Sequence, residues 1–255
     1  RDYSIEAFKG YYREHSASIT PPPKMLNREF AFLSFKERMM WRHKGFSGIE
    51  ELRAFIASMT PSDIYHSSAY YERPEEDMDN KGWMGADLIF DIDADHLALP
   101  CKRRHDRWIC ENCGFKSGGE RVDVCPKCGG TRIKEEVWIC EMCLTQAKKE
   151  TLKTLDILLN DLGVKEEHTT VNFSGHRGYH IHIRDPKIQS LGREERKEIV
   201  DYICGIGIDA SRYIPKTRMP ISKVATAEDS TPGWSQRIYK GISKWITESP
   251  IQALK

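Results

Sequence analysis

The sequence DLIFDIDAD at residues 87–95 governs how the rest of the chain is interpreted. Apolar residues alternate along it with a period of two, which predicts a short strand with its apolar side chains on one face. Asp91 and Asp93 then share the other face, with Cα atoms about 7 Å apart. Two such carboxylates repel each other unless a divalent cation lies between them. The strand therefore predicts a metal site of the kind used for phosphoryl or nucleotidyl transfer, with a solvated strand face as the alternative.

Length and composition indicate a broad class of protein. The chain has 255 residues, which predicts one main domain with a smaller inserted or appended one. Lys and Arg total 39 against 38 acidic residues, so net charge does not indicate a partner. Local charge is more informative than net charge. The basic clusters at residues 102–104 and 211–223 suit the binding of phosphates, with an ordinary solvated surface as the alternative for each.

Hydropathy and cysteine usage indicate the compartment. No apolar run approaches the length of a membrane span, and no signal-peptide pattern is present. Six of the eight cysteines fall in Cys-x-x-Cys pairs within a long, charge-rich chain. That pattern favours zinc in a reducing compartment over disulfides. We therefore expect an intracellular protein with no membrane association.

Two Cys-x-x-Cys pairs predict a zinc ribbon. Cys110 and Cys113 form the first pair, Cys125 and Cys128 form the second, and a glycine closely follows each. Four thiolates arranged as two facing knuckles make a closed, tetrahedral structural site. We predict a structural zinc ion here, with free thiols or disulfides as the alternative.

A third Cys-x-x-Cys pair, Cys140 and Cys143, predicts a second zinc site. Cys101 and His105 lie just before the ribbon, and a ribbon inserted between the two halves would leave its own ends close together. These four residues would hold the second ion. In the alternative, His105 belongs to the basic loop and the last ligand comes from elsewhere. Cys204, alone at the end of an apolar helix, is interpreted as a buried thiol.

Periodicity and turn residues predict the other elements. Strands are expected at residues 28–35, 39–42, 64–71, 169–173 and 179–183, and helices at residues 1–15, 47–59, 193–202 and 235–246. Ser47 and Glu50 predict a capping box for the second helix. Leucines at positions 152, 155, 158, 159 and 162 predict a further helix that buries this stripe and ends at a Gly163 C-cap.

The sequence SGHRG at residues 174–178 predicts a tight turn between two strands. Its two glycines let backbone N–H groups approach an anion closely. Arg177 can give a phosphate two parallel hydrogen bonds, while Ser174 and His180 add donors. A plain hairpin turn with a surface arginine is the alternative.

Taken in order, these motifs resemble the catalytic small subunit of archaeal and eukaryotic DNA primase. The family pattern is a strand ending in Asp-x-Asp, a zinc site closed by Cys-x-x-Cys, and a Ser-Gly-x-x-Gly-x-His-like turn with arginine before the second glycine. Residues 28–32, 41–42 and 71–74 also look like family segments in the same order. The resemblance covers about residues 1–205, and it is specific because order and spacing agree.

The resemblance implies a mixed α/β (α+β) fold with an RRM-like mixed sheet and flanking helices. Residues 1–100 and 144–205 would form the primase catalytic core. Residues 101–143 would be an inserted zinc-binding module, and residues 206–255 a partial helical tail.

The resemblance also implies roles for individual residues. Asp91 and Asp93 would hold two catalytic Mg²⁺ or Mn²⁺ ions. The residues that would grip the triphosphate are Ser174, Gly175, His176, Arg177, Gly178 and His180. Glu29 and Arg42 would line the nucleotide pocket. The family's zinc site would be Cys101, His105, Cys140 and Cys143, with the ribbon of Cys110, Cys113, Cys125 and Cys128 as an extra insertion.

The implied function is template-directed synthesis of short RNA or DNA primers from nucleoside triphosphates on single-stranded DNA. A primase large subunit would be the partner, in the cytoplasm of an archaeon or the nucleus of a eukaryote. One alternative is a related primase-type polymerase of end joining or plasmid replication, which would act without a large subunit. Another is a non-catalytic, zinc-dependent nucleic-acid-binding protein in which the aspartate pair is structural.

The sequence departs from the family in one respect. The family's third catalytic aspartate lies shortly before an Arg-x-x-x-Ser-Leu-His segment. Residues 218–222 echo that segment, but no Leu-His follows and no aspartate stands shortly before it. Asp209 and Asp229 are the candidates within the chain. We expect the chain to end before the family's third aspartate, and so to bind nucleotide with a divalent ion but to extend primers poorly by itself.

Overall fold

The structure is a computed structural model that describes residues 2–35, 39–209 and 232–249. Its strands are β1 (Phe30–Leu33), β2 (Met40–Lys44), β3 (Asp63–His66), β4 (Ala69–Tyr71), β5 (Trp83–Ala86), β6 (Leu88–Asp93), β7 (Arg107–Cys110), β8 (Lys116–Gly118), β9 (Ile133–Glu136), β10 (Thr169–Phe173) and β11 (Gly178–Ile183). Its α-helices are α1 (Asp2–His15), α2 (Ile49–Met59), α3 (Lys102–His105), α4 (Glu141–Asn160), α5 (Pro186–Gln189), α6 (Arg193–Cys204) and α7 (Trp234–Glu248). Residues 218–222 and Asp229, named above, lie outside the described residues.

The chain divides into two compact units. The first comprises Arg1–Leu88 and Arg184–Arg193, and the second comprises Ile89–Ile183 and Glu194–Lys255. Residues 101–143, the predicted zinc module, belong entirely to the second unit. The predicted division into a core, an inserted module and a helical tail remains a prediction.

The first unit is built on a three-stranded sheet with the order β2-β1-β3. The central strand β1 is antiparallel to both neighbours. Alternation along β1 sends Phe30 and Phe32 into the core. There they pack with Phe46 and with Leu52 and Ile56 of α2. The sheet and α2 therefore bury a mainly aromatic core of the kind that period-two patterning produces.

The start of α2 corrects the predicted capping box. The helix begins at Ile49 after a Gly48 N-cap, so the third helical position is Glu51 rather than Glu50. Glu51 accepts hydrogen bonds from the backbone N–H of Ser47 at 2.8 Å and from its hydroxyl at 2.7 Å. These bonds lower the pKa of Glu51. Glu50 instead pairs with Arg53 at 2.6 Å.

The single strand predicted at residues 64–71 is wrong, because the chain breaks into β3 and β4, which lie in different sheets. Ser67 lies at the break. Its hydroxyl donates to the carbonyl oxygen of Ala69 at 2.6 Å, and its own carbonyl accepts from Arg28. A serine that bonds to nearby backbone competes with a regular ladder, which explains why the strand does not continue.

A buried ion pair lies directly before the acidic strand. Arg28 donates to Asp87 at 2.6 Å, and both side chains are almost fully buried. The Tyr70 hydroxyl and the Gln189 amide also donate to Asp87. Burial alone would raise the pKa of Asp87, but the bonds from Tyr70 and Arg28 outweigh it and lower the pKa. Burial, together with the bond to Asp87, raises the pKa of Tyr70 to about 12.

The second unit contains a three-stranded sheet with the order β10-β11-β6. Strands β10 and β11 pair antiparallel without a register shift, from Thr169 opposite Ile183 to Phe173 opposite Tyr179. The fully buried Ile181 and Ile183 lie on β11, and α4 packs against this strand. The predicted strands at 169–173 and 179–183 are confirmed.

Helix α4 corrects the predicted leucine stripe. Leu158 is fully buried, but Leu152 is 54% exposed. The buried face runs instead through Ala147 and Thr151 to Leu158, because α4 packs against β11 and Ala147 lies in a cluster with Tyr179 of that strand. The helix ends at Asn160 with Asp161 as its C-cap, so the predicted Gly163 C-cap lies two residues too late. Gly163 nevertheless has φ +66°, and the backbone N–H of Val164 donates to the carbonyl of Leu158, six residues earlier, at 2.9 Å.

The last two helices, α6 and α7, confirm the predictions at 193–202 and 235–246. Arg237 of α7 pairs with Asp161, beyond the end of α4, at 2.7 Å, and the indole N–H of Trp234 donates to the carbonyl of Tyr202 at 2.9 Å. Cys204 is exposed, so its interpretation as a buried thiol is wrong. It lies at the last turn of α6, a helix with no fully buried residue.

The mixed α/β class is confirmed, since helices alternate with several small sheets. The RRM-like arrangement remains a prediction. Within the described ranges, no helix combines the length and apolar content that a membrane crossing requires.

Removing the buried carboxylate should destabilise the first unit strongly. The substitution Asp87→Ala leaves Arg28 buried without its counter-charge, which costs about 3–5 kcal/mol of unfolding free energy. Urea denaturation measures this cost. The surface substitution Glu6→Ala, which removes an exposed pairing with Lys9, should cost less than about 1 kcal/mol.

Acid should remove the same stabilisation. Because folding lowers the pKa of Asp87, its contribution is complete above the unfolded value of about 3.9 and is lost as pH falls below it. The Asp87→Ala variant should therefore show a flatter stability profile in this acidic range. A profile as steep as that of the parent chain would contradict the role given to Asp87.

Candidate active site and metal centres

The two aspartates of β6 lie in different surroundings. Asp93 is buried, whereas the side chain of Asp91 is 60% exposed. His180 of the neighbouring strand β11 lies with its Nε2 atom 3.2 Å from a carboxylate oxygen of Asp91. Strand pairing therefore brings the Asp-x-Asp motif and the predicted phosphate-binding histidine to one sheet, although 89 positions of sequence separate Asp91 from His180.

Arg177 supplies a cation to the acidic strand. Its Nε atom lies 2.7 Å from Asp93 Oδ2, and its Nη1 atom lies 2.8 Å from Asp95 Oδ2. The guanidinium therefore satisfies the need for positive charge that the sequence attributed to a metal ion alone. The side chain remains 45% exposed, so solvent and ligands can reach it.

Asp95 was missed as a site residue, although the sequence DLIFDIDAD contains it. Its Oδ1 atom is buried and has no hydrogen-bond partner among the described residues. Ligand atoms of Asp93, Asp95 and His96 all lie within 4.8 Å of one another, a spacing that suits a metal ion. The structure thus groups Asp93 with its sequence neighbours, while Asp91 faces His180.

The turn between β10 and β11 converges on one hydroxyl. Ser174 Oγ accepts from the backbone N–H groups of Gly178 at 3.0 Å, Arg177 at 3.3 Å and His176 at 3.4 Å. Three N–H groups that point to one oxygen form the kind of nest that also binds anions. Backbone donors therefore converge at this turn, but on the oxygen of Ser174, which accepts where the sequence predicted a donor. Binding of an anion by the turn stays a prediction.

The structure gives a second, steric reason why position 178 requires a glycine. A Cβ atom at this position would collide with the carbonyl oxygen of Ile92 and with Asp93. The glycine therefore permits β11 to approach β6, which brings the turn beside the aspartates. Sequence reasoning assigned it only to the approach of an anion.

Glu29 and Arg42 lie together in the first unit. Both line a cleft of about 340 Å³, with the Arg42 Nε atom 3.8 Å from Glu29. The carboxylate also accepts from the backbone N–H of His43 at 2.9 Å and lies 3.2 Å from the buried Lys81 amine. Burial would raise the pKa of Glu29, but the bonds from His43 and Lys81 outweigh it and lower the pKa. No sequence signal marked Lys81, which comes from a charged loop.

The ribbon is a three-stranded antiparallel sheet with the order β8-β7-β9. The sulfur atoms of Cys110, Cys113, Cys125 and Cys128 all lie within 4.8 Å of one another. Gly114 and Gly129, which follow the two pairs, both have φ +71°. Their N–H groups donate to the carbonyls of the first cysteine of each pair, so the knuckle turns require glycine.

The second predicted quartet also comes together. Ligand atoms of Cys101, His105, Cys140 and Cys143 all lie within 4.8 Å of one another. The buried Asp106 carboxylate lies 2.7 Å from His105 Nδ1. That contact favours a proton on Nδ1 and leaves Nε2 free as a ligand. Asp106 was missed, because a His-Asp neighbour pair is not a specific signal in a sequence.

The donor sets fit metal ions of the zinc type. All eight cysteines are free thiols, and S₄ and S₃N sets at this spacing are typical of structural zinc. Burial raises the pKa of Cys125, but N–H donors from Lys127 and Cys128 outweigh it and lower the pKa to about 7. Burial and neighbouring thiols raise the pKa of Cys143 to about 12. A full set of thiolates therefore needs a cation to form at neutral pH.

Sequence comparisons agree with these motifs. The family model described as DNA primase small subunit matches residues 122–237. The DNA primase small subunit PriS of Cenarchaeum symbiosum is 38% identical over 235 residues, which cover 92% of this chain and 62% of that protein. The PriS proteins of Pyrobaculum islandicum and Pyrobaculum aerophilum are 39% and 40% identical over 237 residues, in each case 92% of this chain and 64% of that protein.

These similarities relate the chain to the DNA primases. More narrowly, over 92% of its length the chain is similar to DNA primase small subunits, so the resemblance of its motifs is confirmed. The chain spans 62% to 64% of the length of the relatives just named. The activity, substrates and partners of a whole primase subunit are therefore proposals for this chain.

The two quartets should each hold one zinc ion. Metal analysis of the purified chain should give two ions, and Cys113→Ser should remove one of them without altering the other. Asp106→Asn should weaken the His105 site about 10- to 100-fold, because it removes the group that orients the ligand. Competition with a chromogenic chelator measures this change.

Asp123→Asn is the matched control, because Asp123 is an exposed carboxylate of the same ribbon. It should leave both affinities unchanged. A parent chain that carries one ion or none would contradict the two-site prediction, and an Asp106→Asn affinity equal to that of the control would contradict the role of Asp106.

Proposed function

We propose that this chain forms the catalytic part of a DNA primase small subunit, which synthesises short RNA or DNA primers from nucleoside triphosphates on single-stranded DNA. The observation that carries the proposal is the pairing of β6 with β11. It gathers two carboxylates, an arginine, a histidine and a nest of backbone donors on one sheet. The names of the relatives support the same reaction.

The proposed reaction is attack of a primer 3′-hydroxyl on the α-phosphate of the incoming nucleotide. A new P–O bond forms, and pyrophosphate leaves. Bound Mg²⁺ or Mn²⁺ would lower the pKa of the hydroxyl and neutralise the leaving group. Asp91 and Asp93 would hold these ions, with Asp93 supplying a carboxylate that is already desolvated and Asp91 one that faces solvent.

The turn would bind the triphosphate. Arg177 already pairs with two carboxylates, Asp93 and Asp95, and its planar fork also fits two phosphate oxygens. His180 adds a donor beside Asp91, and the nest around Ser174 adds backbone N–H groups. Phosphate would thus compete with carboxylates for the guanidinium.

Other parts of the chain would have supporting roles. Glu29 and Arg42 would line the nucleotide pocket, and Lys81 would hold Glu29 in place from the buried side. The two zinc ions would be structural, since each quartet supplies four ligands and leaves no open position. A primase large subunit and single-stranded DNA would be the partners of this intracellular enzyme.

One observation favours a second candidate function. Arg177 pairs with Asp93 and Asp95, and a purely structural aspartate strand would show the same pairing. The chain would then be a non-catalytic, zinc-dependent nucleic-acid-binding protein. A primase-type polymerase of end joining or plasmid replication has no observation of its own in its favour.

Neutralising Asp91 should separate these candidates. Asp91→Asn keeps the size of an exposed side chain, so the fold should survive. If Asp91 holds a catalytic ion, metal-dependent addition of a nucleotide to a primed template should fall at least about 100-fold, since such an ion supplies several kcal/mol of transition-state stabilisation. Single-turnover incorporation of a labelled nucleotide, with Mn²⁺ in excess, measures the loss.

Asp123→Asn serves again as the control for loss of one acidic charge. Incorporation by the Asp91→Asn variant at the level of this control would favour the structural interpretation of the aspartates. The variant and control should have equal zinc content.

Arg177→Ala should weaken binding of a nucleoside triphosphate about 10- to 100-fold, because charge-assisted bonds contribute about 1.5–3 kcal/mol. Lys187→Ala removes one exposed cation after β11 and should change affinity less than about twofold. Fluorescence titration with a labelled nucleotide measures both. Equal effects of the two substitutions would mean that the turn is not the triphosphate site.

A further inference from the structure

A second cleft lies at the base of the ribbon, and none of the roles above uses it. Its volume is about 520 Å³. The residues that line it are Arg104, His105, Arg107, Glu136, Val137 and Trp138. All of them belong to the second unit. A cleft of this size admits a nucleobase with its sugar.

Trp138 is the prominent apolar residue of the cleft. Its side chain is 67% exposed, and the adjacent Val137 is exposed as well. Trp108 of the same ribbon is 4% exposed and packs with Cys110 and Phe115 in the ribbon core. Because the ribbon core is complete without Trp138, the exposed indole is better explained by a ligand than by folding.

The backbone of Trp138 is held by Asp106, the carboxylate that contacts His105 of the second quartet. Its N–H group donates to Asp106 Oδ1 at 3.2 Å, and the same oxygen lies 2.7 Å from Nδ1 of His105. One buried carboxylate therefore orients a metal ligand and holds the residue that carries the indole. A rigid aromatic surface binds at a lower entropic cost than a mobile one.

The cleft also carries unpaired positive charge. Arg104 and Arg107 are exposed, and neither guanidinium forms an ion pair with any other described residue. Glu136 stands opposite Arg107 in the β7–β9 register, so the cleft lining contains one carboxylate and two guanidinium groups. The surface attracts anions, and its centre is aromatic.

A hydrogen bond connects this surface to the acidic strand. The Lys102 amine, at the start of α3, donates to the backbone carbonyl of Asp95 at 2.6 Å. Arg104 lies on the same short helix, and Asp95 pairs with Arg177. The candidate active site and this surface therefore belong to the same unit and are connected through α3.

We propose that Trp138, Arg104 and Arg107 form a binding surface for single-stranded nucleic acid, in which an unpaired base stacks on the indole and the guanidinium groups contact the flanking phosphates. Stacking needs an exposed base face, which a duplex does not offer. The identity of the strand as the DNA template rests on the proposed function. The stacking surface itself does not.

The stacking component is tested with the zinc-loaded 255-residue chain and a fluorescein-labelled oligothymidylate, without nucleotide. Trp138→Ala should weaken binding at least about fivefold, as aromatic truncations at stacked bases do. Trp138→Leu, which keeps apolar area but not the ring, should behave like Trp138→Ala. Trp138→Phe should stay within about twofold of the parent chain, because it keeps the ring. Anisotropy gives the dissociation constants, and zinc content with circular dichroism verifies the fold.

The charge component has a separate signature. Replacing both Arg104 and Arg107 by Ala should reduce the slope of log affinity against log salt concentration by about 1.4, since each phosphate contact on a single strand contributes about 0.7. The Trp138 variants should keep the parent slope. Replacing Lys153 and Lys165, two exposed lysines paired within the chain, removes the same charge elsewhere and should leave the slope unchanged.

Two results would overturn the proposal. One is an affinity of Trp138→Ala for the oligothymidylate equal to that of the parent chain. The other is an equal loss of affinity for a blunt duplex, which would indicate electrostatic contact without stacking. Because no nucleotide is added, these results are independent of incorporation by Asp91→Asn. The binding surface can therefore be tested independently of the primase reaction.

Discussion

A buried negative charge needs a cation close to it, and this constraint is met in different ways along the chain. Arg28 neutralises Asp87, and Lys81 neutralises Glu29, both in the first unit. In the second unit Arg177 neutralises Asp93. The two quartets of cysteine and histidine contain no basic side chain besides His105. Their thiolates can form together only around a metal ion, which is why the quartets are the firmest metal assignments.

Local patterns predicted the regular elements well. They did not predict which face of a helix is buried or at which residue a helix begins. The hairpin of β10 and β11 follows from alternation and a glycine turn, and α4 ends at Asn160, three residues before the predicted Gly163. The leucine stripe failed because the buried face of α4 is chosen by β11 and by Cys143 at the first turn, not by the number of leucines. The capping box shifted because Gly48 rather than Ser47 precedes the first helical residue.

The candidate site was predictable where its ligands are close in sequence. Cysteine spacing alone anticipated both quartets, since each Cys-x-x-Cys pair carries half of a site. Asp95 and Asp106 were missed because their roles arise from tertiary contacts: Asp95 meets Arg177 across 82 positions of sequence, and Asp106 acts through the tautomer of His105. Gly178 was predicted only to let an anion approach, which stays a prediction. The pairing of strands shows in addition that it faces the carbonyl of Ile92.

Exposure distinguishes the arginine pairs that otherwise look alike. Arg28 and Asp87 are both almost fully buried, so exchanging either partner for a ligand would require the first unit to open. Arg177 is 45% exposed although its partner Asp93 is only 5% exposed, so solvent reaches the guanidinium of this pair. An exposed guanidinium can leave its carboxylate without losing its solvation, whereas the buried Arg28 cannot. Under the proposed function, Arg177 is therefore the arginine that would release its carboxylates to a metal ion and pass to a phosphate.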